Sequence, residues 1–514
     1  MTVPPPPPLR PPPPPSAAPE AAEPALLPSA FRGDLPVAEF LRYGHQLVDW
    51  VGAYFADPEQ HPVLARVAPG DVRRQLPASP PARGESLADV LADVERVLVP
   101  GLTHWNHPGF FAYFANSSPA AGVLGELLAS ALNVNAMLWR TAPAATELER
   151  VALDWLRQLM GLGEGWFGVV NDTASISTLV ALAAAREADP ALDVRARGLA
   201  GRADLAPLRV YCSEHAHSSV DKAAITLGIG HGHVVKVAAD AACRMRPDRL
   251  AAAVAEDRAR GLRPLAVVAT VGTTSTAAVD PVRAAAAVCR AEGLWLHVDA
   301  SYGGAAAAVP ELRAHVFDGV DAADSLVVNP HKWLFTPMDC SALYTRRPDV
   351  LRRAFALVPE YLTTRDAPAG DAVNLMDYGV QLGRRFRALK LWMVLRTFGA
   401  EGVAERVRYH CQLARDFAAW VAAEPGWELA APVSMSLACF RYAHPGASDA
   451  ECEASNARIL AAVNATGEVF LSHTKLGDRY VLRLAVGNVR TERRHVARAW
   501  ELLRDAARAE GGFG

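Results

Sequence analysis

Four short apolar runs, each followed closely by a side chain able to do chemistry, constrain this chain more than any other feature. The run 208–212 leads to Ser213 and His217, and the run 265–271 leads to Gly272, Thr273 and Thr274. The run 294–298 leads to Asp299, and the run 325–328 leads to Asn329 and Lys332. Helix-like stretches separate them, such as the Ala-rich segment 283–292 that stops at Gly293. Strands alternating with helices imply an α/β fold with a mainly parallel central sheet flanked by helices. Ligands of such sheets bind beyond the carboxyl ends of the strands, so a histidine, a threonine, an aspartate and a lysine converge on one crevice.

Residues 329–333 read Asn-Pro-His-Lys-Trp. Most lysines are solvated surface charges. One placed directly behind a buried strand is a candidate nucleophile instead. Asp299 after its own strand has two readings, a helix N-cap or a buried functional carboxylate, and the lysine downstream favours the second. The segment 169–175, Val-Val-Asn-Asp-Thr-Ala-Ser, precedes a helical stretch at 176–186. Free backbone N–H groups at such a helix start suit an anion such as phosphate, although an ordinary Ser/Thr cap has the same appearance.

Together these residues resemble the pyridoxal-phosphate-dependent group II amino-acid decarboxylases, and within them the aromatic-L-amino-acid decarboxylase branch. The likeness runs from about Phe31 to about Arg504. Its markers are 104–114 (His-Trp-Asn-His-Pro-Gly-Phe-Phe-Ala-Tyr-Phe), Ser213 with 217–219, 272–274, 297–300 (His-Val-Asp-Ala), 329–333 and 382–387 (Leu-Gly-Arg-Arg-Phe-Arg). The resemblance implies a fold-type-I enzyme using pyridoxal 5'-phosphate, and a homodimer with active sites at the subunit boundary. It implies that Lys332 holds the cofactor as a Schiff base, that Asp299 pairs with the pyridine nitrogen, and that His217 stacks on the ring. Thr173, Ala174, Ser175 and Asn329 match the phosphate contacts, and Thr274 and Ser301 further cofactor positions. Trp105, Tyr113, Phe114, Asn116, Met137 and His331 match the substrate pocket.

Tyr361 matches the loop tyrosine that protonates the carbanion to give an amine, and relatives with phenylalanine there release aldehydes. Residues 363–377, with Pro368 and Gly370, read as a surface loop. The chain departs from the family pattern at Asp172, where glycine is usual, at Asn116 and Asn135, at Met137 and at Ser301. An acid beside a phosphate repels it unless the side chain points away. The adaptable shape of Met137 leaves room for a bulky ring such as indole.

At 514 residues, 51% apolar and 21% charged, the composition is that of a globular protein of about three domains. The net charge of −3 carries no footprint for nucleic acid, and no apolar run is long enough for a membrane span. Seven scattered cysteines without CxxC spacing suggest reduced thiols and a cytoplasmic location, and no metal site is expected.

Residues 1–30 carry two proline runs and read as a disordered tail. Residues 31–103 read as a helical segment, broken near 77–81, of the kind that wraps the partner subunit in this family. Residues 104–400 form the large cofactor domain and 401–514 a small C-terminal α+β domain. Thr146 and Glu149 read as a capping box opening a helix over 148–160. The expected activity is decarboxylation of an aromatic L-amino acid to its amine and carbon dioxide. The alternatives are an oxidative aromatic acetaldehyde synthase, a decarboxylase of an acidic amino acid, and an inactive dimeric scaffold.

Overall fold

The computed structural model describes residues 34–357, 373–444 and 446–511. The Pro-rich tail, Tyr361 and most of the loop expected around it lie outside them.

Seven strands form the central sheet: β1 (Phe167–Asn171), β2 (Leu208–Ser213), β3 (Val234–Val237), β4 (Arg263–Thr270), β5 (Trp295–Asp299), β6 (Ser325–Val328) and β7 (Ser341–Thr345), in the order β1-β7-β6-β5-β4-β2-β3. β3, β2, β4, β5 and β6 run parallel, whereas β7 is antiparallel to both β6 and β1. The parallel strands are covered on both faces, which is why they read as continuous apolar runs rather than alternating ones. Leu296, Val298, Leu326 and Val328 enter one core cluster, while Ala266, Val268 and Trp295 enter another with Val180, Ala181 and Ala184 of the helix Ala174–Glu187. The helix Val282–Glu292 stops where expected, because Gly293 adopts the left-handed conformation (φ 67°) that ends a helix without a Cβ clash.

The capping box expected at Thr146 is absent. The helix begins three residues earlier at Pro143, whose fixed φ suits a first helical position. Thr146 therefore lies inside the helix, its hydroxyl donating to the Ala142 carbonyl at 3.1 Å, and Glu149 is buried against the sheet. A true capping box lies elsewhere, at Ser448 and Glu451 before the helix Asp449–Ala465.

The helix Ala388–Ala423 is two helices meeting at Gly399, whose φ and ψ of 65° and 171° interrupt the helical path. Beyond it, β8 (Trp427–Leu429), β9 (Leu437–Tyr442), β10 (Ser472–Leu476) and β11 (Arg479–Ala485) form an antiparallel sheet in the order β10-β11-β9-β8. Phe417, Trp427, Phe440 and Trp500 make its core. A single bridge between Phe110 and Phe470 ties the 104–114 stretch to this region.

Near the N-terminus the helix Val37–Ala56 buries only Tyr43, and leaves Val37, Phe40, Leu41 and Val48 at least half exposed. Two short helices follow, Asp71–Gln75 and Leu87–Asp93, with the proline-rich break between them. The end of the expected surface loop is packed rather than open: Leu375–Tyr378 forms a short helical turn with Leu375, Met376 and Asp377 buried.

Candidate active site

The carboxyl ends of the parallel strands β2, β4, β5 and β6 lie on the same edge of the sheet. β6 ends at Val328, and the chain turns so that the Lys332 amide donates to the Asn329 carbonyl at 2.9 Å. Asn329 in turn donates its amide to the Ser301 carbonyl at 3.1 Å, which joins the lysine turn to the segment following β5. The Lys332 Nζ stands 5.6 Å from the centroid of the Phe114 ring.

Phe114 begins an aromatic stack. Its ring lies 3.7 Å from that of Tyr302, which lies 4.8 Å from Trp333. Trp333 then donates its indole N–H to His410 at 2.9 Å. Stacked aromatics of this kind contribute packing and a fixed geometry. Lys332 thus sits on a rigid support.

Asp299, the last residue of β5, is 5% exposed, and its Oδ1 accepts from the Ser301 amide at 3.1 Å and from the Ser301 hydroxyl. Burial lowers the Lys332 ammonium from its ordinary value and the Asp299 charge opposes that shift. His217 responds to both: burial lowers its pKa, Asp299 raises it and Lys332 lowers it. Its Nδ1 accepts from the Ser219 amide at 3.1 Å, so a neutral ring carries its hydrogen on Nε2. The histidine, aspartate and lysine singled out in the sequence are therefore within electrostatic reach of one another.

The turn expected to receive an anion carries the acidic side chain of Asp172 at the start of the helix Ala174–Glu187. Thr173 is the N-cap of the helix Ala174–Glu187 but makes no capping bond with its own side chain. Instead Asp172 Oδ1 accepts from the Thr173 amide at 2.5 Å and its hydroxyl at 3.1 Å, and Asp172 Oδ2 accepts from Gln381 at 3.1 Å. The Asp172 carboxylate does not point away from the helix start. It occupies a donor there. Behind it, Asn171 donates to Ser177, whose hydroxyl bonds Ser341 at 2.9 Å within the core.

Among the residues expected in the substrate pocket, Trp105 stacks on Phe110 at 4.3 Å and lies 6.2 Å from Tyr113, which takes a left-handed backbone conformation (φ 50°) and is 53% exposed. His331 is buried, with Nδ1 accepting from the Cys340 amide at 2.9 Å, and burial pushes its pKa down to about 3. Asn116 donates its side-chain amide to the sulfur of Met338, and Asn135 donates its own to the sulfur of Met137, both at 3.5 Å. No described contact joins Met137 or Asn116 to the lysine cluster.

Sequence reasoning missed Arg483. It is 3% exposed on β11, donating from Nε to the Ser275 carbonyl at 2.9 Å, from Nη1 to Ser472 at 2.8 Å and from Nη2 to the Thr274 carbonyl at 2.7 Å. It also faces the Phe114 ring at 5.6 Å, so it ties the threonine wall and the aromatic wall to the small sheet. The one available signal was an arginine embedded among Val481, Leu482, Leu484 and Ala485. A second hub is the buried pair Glu149 and Arg384, 2.6 Å apart, which bonds both ways to Val170 of β1.

Among the described residues no group of His, Cys, Asp or Glu could hold a metal ion, and no helix is long and apolar enough to cross a membrane.

The pyridoxal-dependent decarboxylase conserved domain matches residues 69–443. Tyrosine decarboxylase 2 of Arabidopsis thaliana is 41% identical over 91% of this chain and 87% of its own length, and phenylacetaldehyde synthase of the same plant is 40% identical over 90% and 95%. The crystal structure of Oryza sativa TDC with PLP and tryptamine superposes with a TM-score of 0.89 at 37% identity, covering 93% of this chain and 99% of that one. With a domain match over most of its length and relatives aligned nearly end to end, the chain belongs to the pyridoxal-dependent decarboxylases, enzymes of fold type I that use pyridoxal 5'-phosphate.

Proposed function

We propose that this protein decarboxylates an aromatic L-amino acid to the corresponding amine and carbon dioxide, with Lys332, Asp299 and His217 at its centre. The observation that carries the reading is their mutual electrostatic reach at the carboxyl edge of the sheet, with Phe114 beside the lysine. The residues fit the cofactor of the family. Asn329 Oδ1 is buried with no hydrogen-bond partner among the described residues, as are the hydroxyls of Thr270 and Ser219 on neighbouring walls. A buried polar atom of this kind normally has a partner.

When bound, the cofactor supplies an aldehyde for an amine and a ring that takes up the electron pair left as carbon dioxide departs. Lys332, its ammonium destabilised by burial, provides the amine. Asp299, steadied by the two Ser301 donors, would pair with the pyridine nitrogen of the cofactor. With the cofactor bound, His217 would lie against its ring and offer Nε2–H to the substrate carboxylate, and Thr173, Ala174, Ser175 and Asn329 would hold the phosphate. Thr274 and Ser301 complete the cofactor walls. Trp105, Tyr113, Phe114, Asn116, Met137 and His331 line the substrate side, where flat apolar walls suit an aromatic ring. Tyr361 delivers the proton to the substrate carbon.

An acidic substrate fits less well. A second carboxylate needs an unengaged cation, and Arg483, the buried one nearby, spends its N–H groups on Ser275, Thr274 and Ser472. The presence of Tyr361 favours amine over aldehyde. Borohydride reduction should fix the cofactor to the peptide containing 329–333, and labelling of any other lysine overturns the assignment of Lys332.

We also propose a homodimer with shared sites. Its support is apolar surface that water alone would cover: Val37, Phe40, Leu41 and Val48 on the helix Val37–Ala56, and Leu124, Leu127, Leu128 and Leu132 on the helix Ala120–Leu132. Sedimentation equilibrium tests it, and a monomer at micromolar concentration contradicts it. The division near residue 400 between a large and a small domain is supported by the helix break at Gly399. Seven free cysteines support a cytoplasmic location.

A further inference from the structure

Trp295, His297 and Asp299 alternate along β5 and so project from the same face of the strand. The indole N–H of Trp295 lies 2.9 Å from Ser325 Oγ on β6, and Ser325 Oγ lies 2.8 Å from His297 Nδ1. An indole nitrogen can only donate, so Ser325 is the acceptor of that bond. Ser325 Oγ has no third partner among the described residues, which leaves His297 Nδ1 as the one acceptor for the serine hydrogen. Nδ1 is then bare.

All three side chains are at most 4% exposed, and burial holds the His297 pKa down to about 4, so the ring is neutral and its hydrogen sits on Nε2. That N–H has no partner among the described residues, although it is fully buried. The charged group that acts on the ring is Asp299. Asp299 in turn has Oδ1 occupied by Ser301, and Oδ2 accepts from no described residue.

We propose that His297 is a positioning residue for Asp299: Trp295 and Ser325 lock its imidazole in the single tautomer that presents Nε2–H on the strand face carrying the Asp299 carboxylate. The inference rests on the reading of Asp299 given above, and it adds a residue that acts through Asp299.

The test uses the holoenzyme carrying 15N-labelled histidine. The His297 resonances should show a bare Nδ1 and a protonated Nε2. Ser325→Ala should turn them into a mixture of tautomers and lower kcat by about tenfold with KM within twofold, the size of loss seen when an outer partner of a working group is removed. Trp295→Phe, which keeps the ring volume, should have a smaller effect in the same direction. In an Asp299→Asn background Ser325→Ala should change nothing further.

A hydrogen on Nδ1 in the parent enzyme overturns the proposal. So does an equal loss from Ser325→Ala in both backgrounds, because that means the serine is only structural. If Asp299→Asn itself turns over at the parental rate, the reading of Asp299 fails, whereas the tautomer measurement stands independently of it.

Discussion

Replacing Arg483 with methionine removes a cation whose surroundings are defined atom by atom. The arginine stem is replaced by a chain of similar volume, but three short bonds disappear, to Ser275, Thr274 and Ser472. Each hydrogen bond from a charged donor contributes roughly 1.5–3 kcal/mol. Two offsets reduce the sum. Thr274 is exposed, so its carbonyl recovers a bond to water. Burial also destabilises the guanidinium itself, as its lowered pKa shows, and removing a buried charge returns part of that cost.

A net loss of about 2–4 kcal/mol follows, a visible fraction of the roughly 5–15 kcal/mol that holds a typical protein folded. Because Arg483 ties the Thr274 turn to the stretch carrying Phe114, KM should also rise by about tenfold, equivalent to about 1.4 kcal/mol. Arg483→Lys should fall between the two, since one ammonium cannot fork across three acceptors. Urea unfolding followed by tryptophan fluorescence and steady-state kinetics measure both effects. A methionine variant as stable as the parent, with unchanged KM, refutes the role assigned to Arg483.

Asp299→Asn should retain the cofactor but lose about three orders of magnitude in kcat, since a charge pair at about 4 Å in a protein interior is worth about 4 kcal/mol; turnover within threefold of the parent counts against it. Asp172→Gly frees the Thr173 amide and removes a negative charge from the phosphate cradle, so cofactor should bind roughly five- to tenfold more tightly, equivalent to about 1 kcal/mol at this half-buried position. Equilibrium dialysis against free cofactor decides it, and unchanged or weaker binding contradicts it. Tyr361→Phe should shift the product from amine towards aldehyde with oxygen consumed; amine at the parental rate without oxygen uptake removes Tyr361 from the mechanism.

Acid should unfold the protein early. His107 and His297 are held down to about 4, and His331 and His410 to about 3, all four by burial. The unfolded chain takes up these protons near pH 6.5, so stability is complete above that value. It is lost by about 1.4 kcal/mol per histidine per pH unit as the pH falls towards 4. Asp280, pushed up to about 6 by burial, opposes this with one proton. A urea midpoint that stays flat from pH 7 to pH 5 contradicts the neutral state of these histidines.

The parts of the fold legible in the sequence are those whose burial is symmetrical. β4, β5 and β6 show as apolar runs because both faces of a parallel strand are covered. β1 and β7 escaped notice, since Asn171, Ser341 and Thr345 make their ends polar, yet those groups are satisfied by long-range partners such as Ser177 and the Asp324 carbonyl. The false capping box at Thr146 matched a local pattern that Pro143 overrode. Lys332, Asp299 and His217 stood out in the sequence because each lies just past the end of an apolar run. Arg483 did not, because its acceptors at Thr274 and Ser275 lie more than 200 residues away in the chain. Asp172 was visible as a departure from the family. Its direction was not, because that depends on how the Thr173 amide meets the carboxylate in space.

The most direct test of the account is an assay of the purified holoenzyme with each standard L-amino acid, measuring carbon dioxide, amine, aldehyde and oxygen together. The account predicts that tryptophan, tyrosine or phenylalanine yields carbon dioxide and amine in equal amounts without oxygen uptake, and that glutamate and aspartate yield neither. Carbon dioxide released only from an acidic amino acid, or aromatic substrates converted to aldehyde with oxygen consumed, contradicts it.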